Sequence, residues 1–291
     1  MLETVSTPTD KLSERALAAL GKLPPFSPIL NKLLASLAGE DVSFAKLGDL
    51  IEKDTVVAGN ILHLVNSALY ARRATITSVR HALALLGMDK VRNALLGMSI
   101  SRMWSQVKTP AVWSMVRFNR HSATVAVLSD HIAAGVPADY PEGAFVAGLL
   151  HDLGRLLIAL GLPDEFARLM KLYEQSEKSW TECERELLGF THADLSAGAL
   201  AKWNFPEQVQ IAVRDHHRPP AFQAGGNVPL SAIIDAANQY VNSTGESIVA
   251  SKLVAAEDAG AIAALGIPEE KLGPLLADFR AEHAAMAAFF K

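Results

Sequence analysis

The sequence is short of most features that would assign it to a special class. It has one cysteine, Cys183, in 291 residues. A lone cysteine excludes an internal disulfide and predicts a reducing compartment. The opening residues, MLETVSTPTDKLSERAL, lack a basic stretch followed by an apolar run, so no signal peptide is expected. No charge-free apolar run reaches the roughly 20 residues that a membrane span needs. With 27 Lys and Arg against 31 Asp and Glu, the formal net charge is −4. That balance gives no global attraction to nucleic acid or to a membrane surface. Alternating β-branched runs bounded by turns are missing, as are internal repeats and low-complexity tracts. These absences predict a cytoplasmic protein with no membrane partner and no nucleic acid.

What is present is helical. Half of the residues are apolar and a fifth are charged, an ordinary balance for a folded chain. Alanine and leucine dominate, and both favour helices. SPILNKLLASLAG (27–39) carries a full helix grammar: a capping serine, a proline at the first position, apolar three- and four-residue steps, and a terminating glycine. The same reading predicts helices over 43–54, 55–69, 78–106, 110–135, 141–161, 163–177, 179–188, 192–203, 206–217, 228–244 and 268–290. HHRPPAFQAGGNVP (216–229) reads as a loop, with three prolines and two glycines. The stretch 105–112 is a plausible junction. The expected organisation is a helical half over 1–108, a second over 109–245 and a helical extension over 246–291.

The candidate chemistry lies in AFVAGLLHDLGRLLIA (144–159), where His151 and Asp152 interrupt an apolar run. A buried charge is costly unless it is paired or bound to a metal. Other imidazoles follow in order: His121 in a helix, His192 at a helix start, and His216 and His217 before the Pro-Pro loop. Asp235 sits in the apolar helix LSAIIDAANQYV and needs a partner. Imidazole and carboxylate together suit iron, manganese, zinc and nickel. An aspartate has two oxygens and can bridge two ions, and facing helices are a known way to assemble such a centre. A metal pair can activate water and clamp a phosphoester displacement. The same residues also admit a structural reading. A lone histidine on an apolar helix is commonly a core residue, and His216 and His217 suit a helix C-terminus.

The ordered set His121, His151-Asp152, His192, His216-His217 and Asp235 resembles the HD superfamily of metal-dependent phosphohydrolases. HDLGR is similar to its HD-hydrophobic-Gly-Lys box. LPPFSPILNKLLASL, LGDLIEKDTVVAGNILHLVNSALY, ITSVRHALALLGMDKVRNALL, AGLLHDLGRLLIAL and ERELLGFTHADLSAGALAKWNFPEQVQIAVRDHH resemble, more narrowly, the HDOD family, an HD-related output domain of bacterial signalling proteins. The resemblance runs from about residue 20 to 245. It implies an all-α, HD-domain-like helical bundle with an additional N-terminal helical subdomain, and a role in signal transduction.

It further implies that His121, His151, Asp152, His192, His216, His217 and Asp235 are metal ligands for one or two divalent ions (Fe, Mn, Zn or Ni). His192 is the loosest match. Arg155 stands in the place of the box lysine, where it would contact a phosphate if the protein were an enzyme. Arg117, one turn before His121, occupies a position where some relatives carry a third-metal carboxylate, so no trinuclear site is expected. HHRPPAFQAGG lacks the Gly-Tyr-Pro signature of the related cyclic-dinucleotide phosphodiesterases, which removes support for cyclic-di-GMP hydrolysis. Two functions remain. One is a non-catalytic signalling module that binds a partner protein or a nucleotide-type ligand. The other is a metal-dependent phosphohydrolase acting on a nucleotide or another phosphoester, and a retained metal site used for sensing lies between them.

Three further expectations concern surfaces. Arg72, Arg73, Arg80, Lys90 and Arg92 form either a basic patch or, by preference, a solvated helix surface. Trp104, Trp113 and Phe118 are expected in the core or between the halves. The final AEHAAMAAFFK is expected to pack back on the domain or join another chain.

Overall fold

Short polar side chains start many of the helices, as the sequence grammar requires. Asp54 accepts from the Val56 and Val57 amides at 3.1 Å, opening one helix. Ser78 and Ser114 do the same for two more. Ser179 and Thr191 each complete a capping box, with Glu182 and Asp194 three residues on. The computed structural model describes residues 8–37, 44–70, 75–223, 226–249 and 257–286.

The first part comprises α1 (Pro8–Ala18), α2 (Pro28–Leu37), α3 (Phe44–Glu52), α4 (Thr55–Val65), α5 (Val79–Leu86) and α6 (Met88–Trp104). The second comprises α7 (Met115–Gly135), α8 (Ala144–Leu150), α9 (Leu153–Gly161), α10 (Pro163–Gln175), α11 (Trp180–Leu188), α12 (His192–Lys202), α13 (Glu207–Asp215) and α14 (Leu230–Ser243). A short α15 (Gly260–Ala263) and a long α16 (Glu269–Met286) follow. The protein is all-α. Among the described residues there is no strand, only an isolated bridge between Ala138 and Val228.

Two expected helices are each two. The run 78–106 breaks at Gly87, whose φ of 82° lies in the left-handed region that glycine tolerates. The run 141–161 breaks at His151 and Asp152, between α8 and α9. Neither the four-residue α15 nor the longer α1 is among the helices expected from the sequence, and α1 joins the two parts. It packs along α9, where Gly161 lets the backbones meet: a Cβ there would lie 2.8 Å from the Ala16 Cα.

Helix α7 is the axis of the second part. It packs against α8, α14 and α16, while α9 packs on α12 and α13 on α12 and α14. An aromatic chain runs beside it. Trp104 contacts Phe118 at 4.8 Å between centroids, Phe118 contacts Trp113 at 5.2 Å, and Trp113 contacts Phe166 at 5.7 Å. These rings tie α6, α7 and α10 together in the core. The most apolar long segment, Pro141–Gly161, could span a membrane by length and composition, yet 94% of its window is buried inside the protein. Its apolar surface is covered by neighbouring helices.

No basic patch forms from the described cations of the first part. Arg80 pairs with Asp49 and Glu52, Lys90 with Glu282, and Arg92 with Asp89. Arg72 and Arg73 lie outside the described residues, as do the last five residues of the C-terminal run. The described part of that run, on α16, packs against α7.

Candidate metal centre

The α8–α9 break is where the centre is built. Asp152 has left helical geometry (φ −101°, ψ 11°) and occupies the N-cap position of α9. The kink lets the His151 imidazole and the Asp152 carboxylate converge instead of diverging around a continuous helix. Gly154 makes room for α12: a Cβ at this position would lie 2.0 Å from the His192 carbonyl oxygen. The Gly154 amide donates to Ser196 Oγ at 2.7 Å, which holds the two helices in register.

Six of the seven expected ligands come together. Asp152, His192, His216 and His217 form one group, and His121, His151 and Asp152 form the other. Asp152 belongs to both, and its two oxygens face different groups. Oδ2 lies 3.4 Å from His151 Nε2 and 3.6 Å from His121 Nε2. Oδ1 lies 2.9 Å from His192 Nε2. His121, His151, Asp152, His192 and His216 are all buried, and His217 is half-buried.

Asp235 does not join them. Its carboxylate accepts from Gln239 Nε2 at 2.9 Å, one turn along α14. Burial raises its pKa and the Gln239 bond opposes that rise, with no charge of the cluster acting on it.

The histidines are oriented from behind. His121 Nδ1 lies 2.6 Å from the Glu246 carbonyl, His151 Nδ1 2.7 Å from the Gly148 carbonyl, and His216 Nδ1 2.6 Å from the Val213 carbonyl. A carbonyl only accepts, so each Nδ1 carries a hydrogen, and in a neutral ring Nε2 then keeps its lone pair, the form that burial favours for His121 and His216. All three Nε2 atoms are buried without a hydrogen-bond partner. An unmatched buried acceptor is costly. The Nε2 atoms of His121 and His151 face Asp152 Oδ2 and that of His216 belongs to the second group, donors that suit a transition-metal ion, with outer partners of the kind that orient metal-bound imidazole. These residues fit a divalent ion.

His192 is held differently. Its Nδ1 and its backbone amide both donate to Glu184 Oε2, at 2.7 and 3.0 Å. Glu184 is fully buried, and its other oxygen accepts from Trp180 Nε1 at 2.7 Å. Arg155 closes the circuit. Its Nε donates to Asp152 Oδ1 at 3.0 Å, and its guanidinium lies 5.6 Å from the Trp180 ring centre. The arginine expected to meet a phosphate is thus turned onto the centre's own aspartate. The sequence reading missed Glu184. Its signal was weak: one acid among several in TECERELLGF, on the face shared with Trp180.

The electrostatics follow from burial and partners. Burial pushes His121 down to about 4, and the neighbouring His151 adds to it. Burial likewise depresses His216, and pushes His217 down to about 2 with help from His192. Burial also disfavours the charged form of His192, but the Glu184 and Asp152 carboxylates outweigh it and raise its pKa. Burial opposes ionisation of Asp152, yet Arg155, His151 and His192 hold it well below the usual carboxylate range.

An all-helical bundle with a buried His/Asp cluster at a helix break is the architecture of an HD-like domain. Comparison with known proteins narrows the class: the HDOD domain matches residues 23–219, and the chain belongs to that family. It is similar over 97% or less of its length to three solved structures. An HDOD domain protein of unknown function from Geobacter sulfurreducens aligns with a TM-score of 0.76 and 23% identity, covering 96% of this chain and 98% of that one. A candidate phosphohydrolase from Shewanella amazonensis SB2B aligns with a TM-score of 0.73 and 20% identity, covering 95% and 98%. A candidate signal transduction protein from Marinobacter aquaeolei VT8 aligns with a TM-score of 0.71 and 20% identity, covering 97% and 66%. At these identities the likeness is one of fold. A curated relative, an uncharacterized protein of Treponema pallidum (strain Nichols), is 22% identical over 223 residues, and the match spans 74% of this chain but 42% of that protein.

Proposed function

We propose that this chain is a regulatory HDOD module of bacterial signal transduction, acting on a partner protein, with a retained divalent-metal centre at its core. The observation that carries the metal reading is the set of three buried Nε2 atoms, on His121, His151 and His216, with no hydrogen-bond partner. His121, His151, Asp152, His192, His216 and His217 would hold one or two ions, with Asp152 offering one oxygen to each. The choice of a regulatory role rests on closure. Structural metal sites are closed, whereas catalytic sites keep a position open for water or substrate. Here five of the six donors are buried, and Arg155 faces inward. The ion would hold α7, α9, α12 and the end of α13 in one arrangement, so that metal-loaded and metal-free protein present different surfaces to a partner.

A second reading is a metal-dependent phosphohydrolase acting on a nucleotide or other phosphoester. A cavity of about 220 Å³ favours it, because this cavity is lined by His121, Arg117 and Arg120 and reaches the edge of the centre. The ions would supply Lewis-acid and water-activating chemistry. In this chain Arg117 would hold phosphate at the mouth.

The test is reconstitution with each of iron, manganese, zinc and nickel, followed by a phosphoester screen of the loaded protein. Loading without hydrolysis, with the regulatory effect altered in a folded His151→Ala variant, supports the regulatory reading. Hydrolysis lost in His151→Ala supports the second. A protein that takes up no ion contradicts both.

A further inference from the structure

The HDOD match ends at residue 219, but the support of the centre does not. His121 takes its orientation from Glu246, whose carbonyl receives the Nδ1 hydrogen at 2.6 Å. That bond leaves Nε2 buried and unpartnered beside Asp152. Glu246 is in turn fixed by its side chain. Its carboxylate meets Arg120 and lies 2.9 Å from Thr124 Oγ1. The same hydroxyl lies 2.9 Å from His283 Nε2, on α16. A helix far along the chain therefore reaches the hydroxyl that anchors the residue aiming a metal ligand.

The preceding residue of α16 faces the first part of the chain. Glu282 lies 3.0 Å from Lys90 Nζ on α6 and 3.0 Å from His131 Nε2 on α7. Lys90 also stands 5.7 Å from the Tyr70 ring centre, and α16 packs against that turn as well as against α7. Adjacent residues 282 and 283 thus connect α16 to α6 and to the seat of Glu246. A ring whose Nδ1 partner is lost can turn, and its Nε2 no longer stays aimed at an ion.

We propose that Glu246 is a positioning residue of the metal centre, kept in place by Thr124 and, through the Thr124 hydroxyl, by His283 of α16, so that ion binding and docking of α16 are coupled. This inference rests on the metal-centre reading above. It adds the regulation of that site. Linkage is reciprocal: whatever factor the docked helix adds to ion affinity, the ion adds to docking. In a regulatory module, this would make α16 the element whose seating reports ion occupancy.

The experiment uses the full chain and Co²⁺ as the probe. Amide hydrogen exchange is followed over residues 269–286 in the presence of Co²⁺ and after chelation. Co²⁺ affinity is measured by chelator competition in wild type, His283→Ala, Glu246→Ala and Thr124→Val. Glu246→Ala keeps the backbone carbonyl and removes only its anchor. The expected result is slower exchange across α16 with Co²⁺ bound. The variants should bind Co²⁺ roughly tenfold more weakly, the lower end of effects seen for outer partners of metal ligands. Their Co²⁺ absorption bands should also shift. Wild-type affinity in all the folded variants, with α16 exchange indifferent to Co²⁺, would overturn the coupling and leave the metal centre standing. A wild-type chain that binds no Co²⁺ would overturn both, and it would do so before any variant is made. The exchange arm needs no substitution, so a variant that fails to fold does not protect the proposal.

Discussion

His192 is clamped against Asp152 by Glu184. Its Nε2 lies 2.9 Å from Asp152 Oδ1 and 3.0 Å from His217 Nε2, while Glu184 takes the Nδ1 hydrogen at 2.7 Å. An imidazole pinned between two carboxylates has a raised pKa, and its Nε2 sits among three donors of one ligand group. An ion entering there must displace any proton on that nitrogen, because metal-bound imidazole is neutral.

Ion uptake is therefore expected to release protons and to tighten as pH rises through the raised His192 pKa. Isothermal titration calorimetry in two buffers of different ionisation enthalpy measures the number released. Proton release that is largest on the acid side and fades as pH rises through the His192 pKa agrees with the geometry. Uptake with no proton release would mean that His192 is not a ligand.

The metal-free protein is expected to lose stability on mild acidification. His121 titrates near 4 in the folded state, against roughly 6.5 when unfolded. Between those values the unfolded chain binds the proton and the folded chain does not. Stability is therefore full above about pH 6.5 and falls as pH drops towards 4, by on the order of 3 kcal/mol for this group. His216 and His217 act in the same direction. His192 acts oppositely: its contribution is present below about 6.5 and is lost only on going alkaline through its raised pKa. Denaturant midpoints at pH 7 and pH 5 in chelator check this, and an unchanged midpoint would contradict it.

Glu184→Gln is expected to weaken ion binding by roughly 10- to 100-fold, the usual cost of losing a carboxylate behind a metal-bound imidazole. One amide oxygen cannot accept from the His192 side chain, its backbone amide and Trp180 as the two carboxylate oxygens do. Chelator competition reads the change, and wild-type affinity in a folded variant would remove Glu184 from the centre.

Gly154→Ala is expected to be severe. The new Cβ would lie 2.0 Å from a backbone oxygen, which no side-chain rotation can relieve. Overpacking of this kind costs about 3 kcal/mol or more. The expected result is a lower denaturant midpoint together with weaker ion binding, because α12 carries His192. An unchanged midpoint would show that α9 and α12 do not approach this closely.

Much of this was legible in the sequence because helix signals are local. The Ser-Pro start at 27–28 and the apolar periodicity mark elements that the fold contains. The His121, His151-Asp152, His192 and His216-His217 order carried the site. What escaped depends on contacts between distant residues. The helix break at His151-Asp152 lies in a stretch whose apolar flanks read as one helix, with no proline to mark it, and the approach of α12 to Gly154 is a long-range contact. Glu184 looks like any surface acid until Trp180 and His192 are seen to enclose it. The apolar helix around Asp235 implies a partly buried carboxylate that needs a partner, and Gln239, four residues on, supplies one without the cluster. The roles of Glu246 and His283 span more than a hundred residues from His121, a separation no spacing rule covers.

The central claim is that these residues hold a metal ion, and elemental analysis tests it most directly. The protein would be purified without a histidine tag or a metal column, beside His151→Ala, His216→Ala and Asp235→Asn. The account predicts at least one equivalent of iron, manganese, zinc or nickel per chain in wild type. It also predicts loss of that ion in both folded histidine variants and full retention in Asp235→Asn. No ion in wild type, even after reconstitution with each metal, would contradict it and leave His151 and Asp152 as a purely structural pair at a helix break.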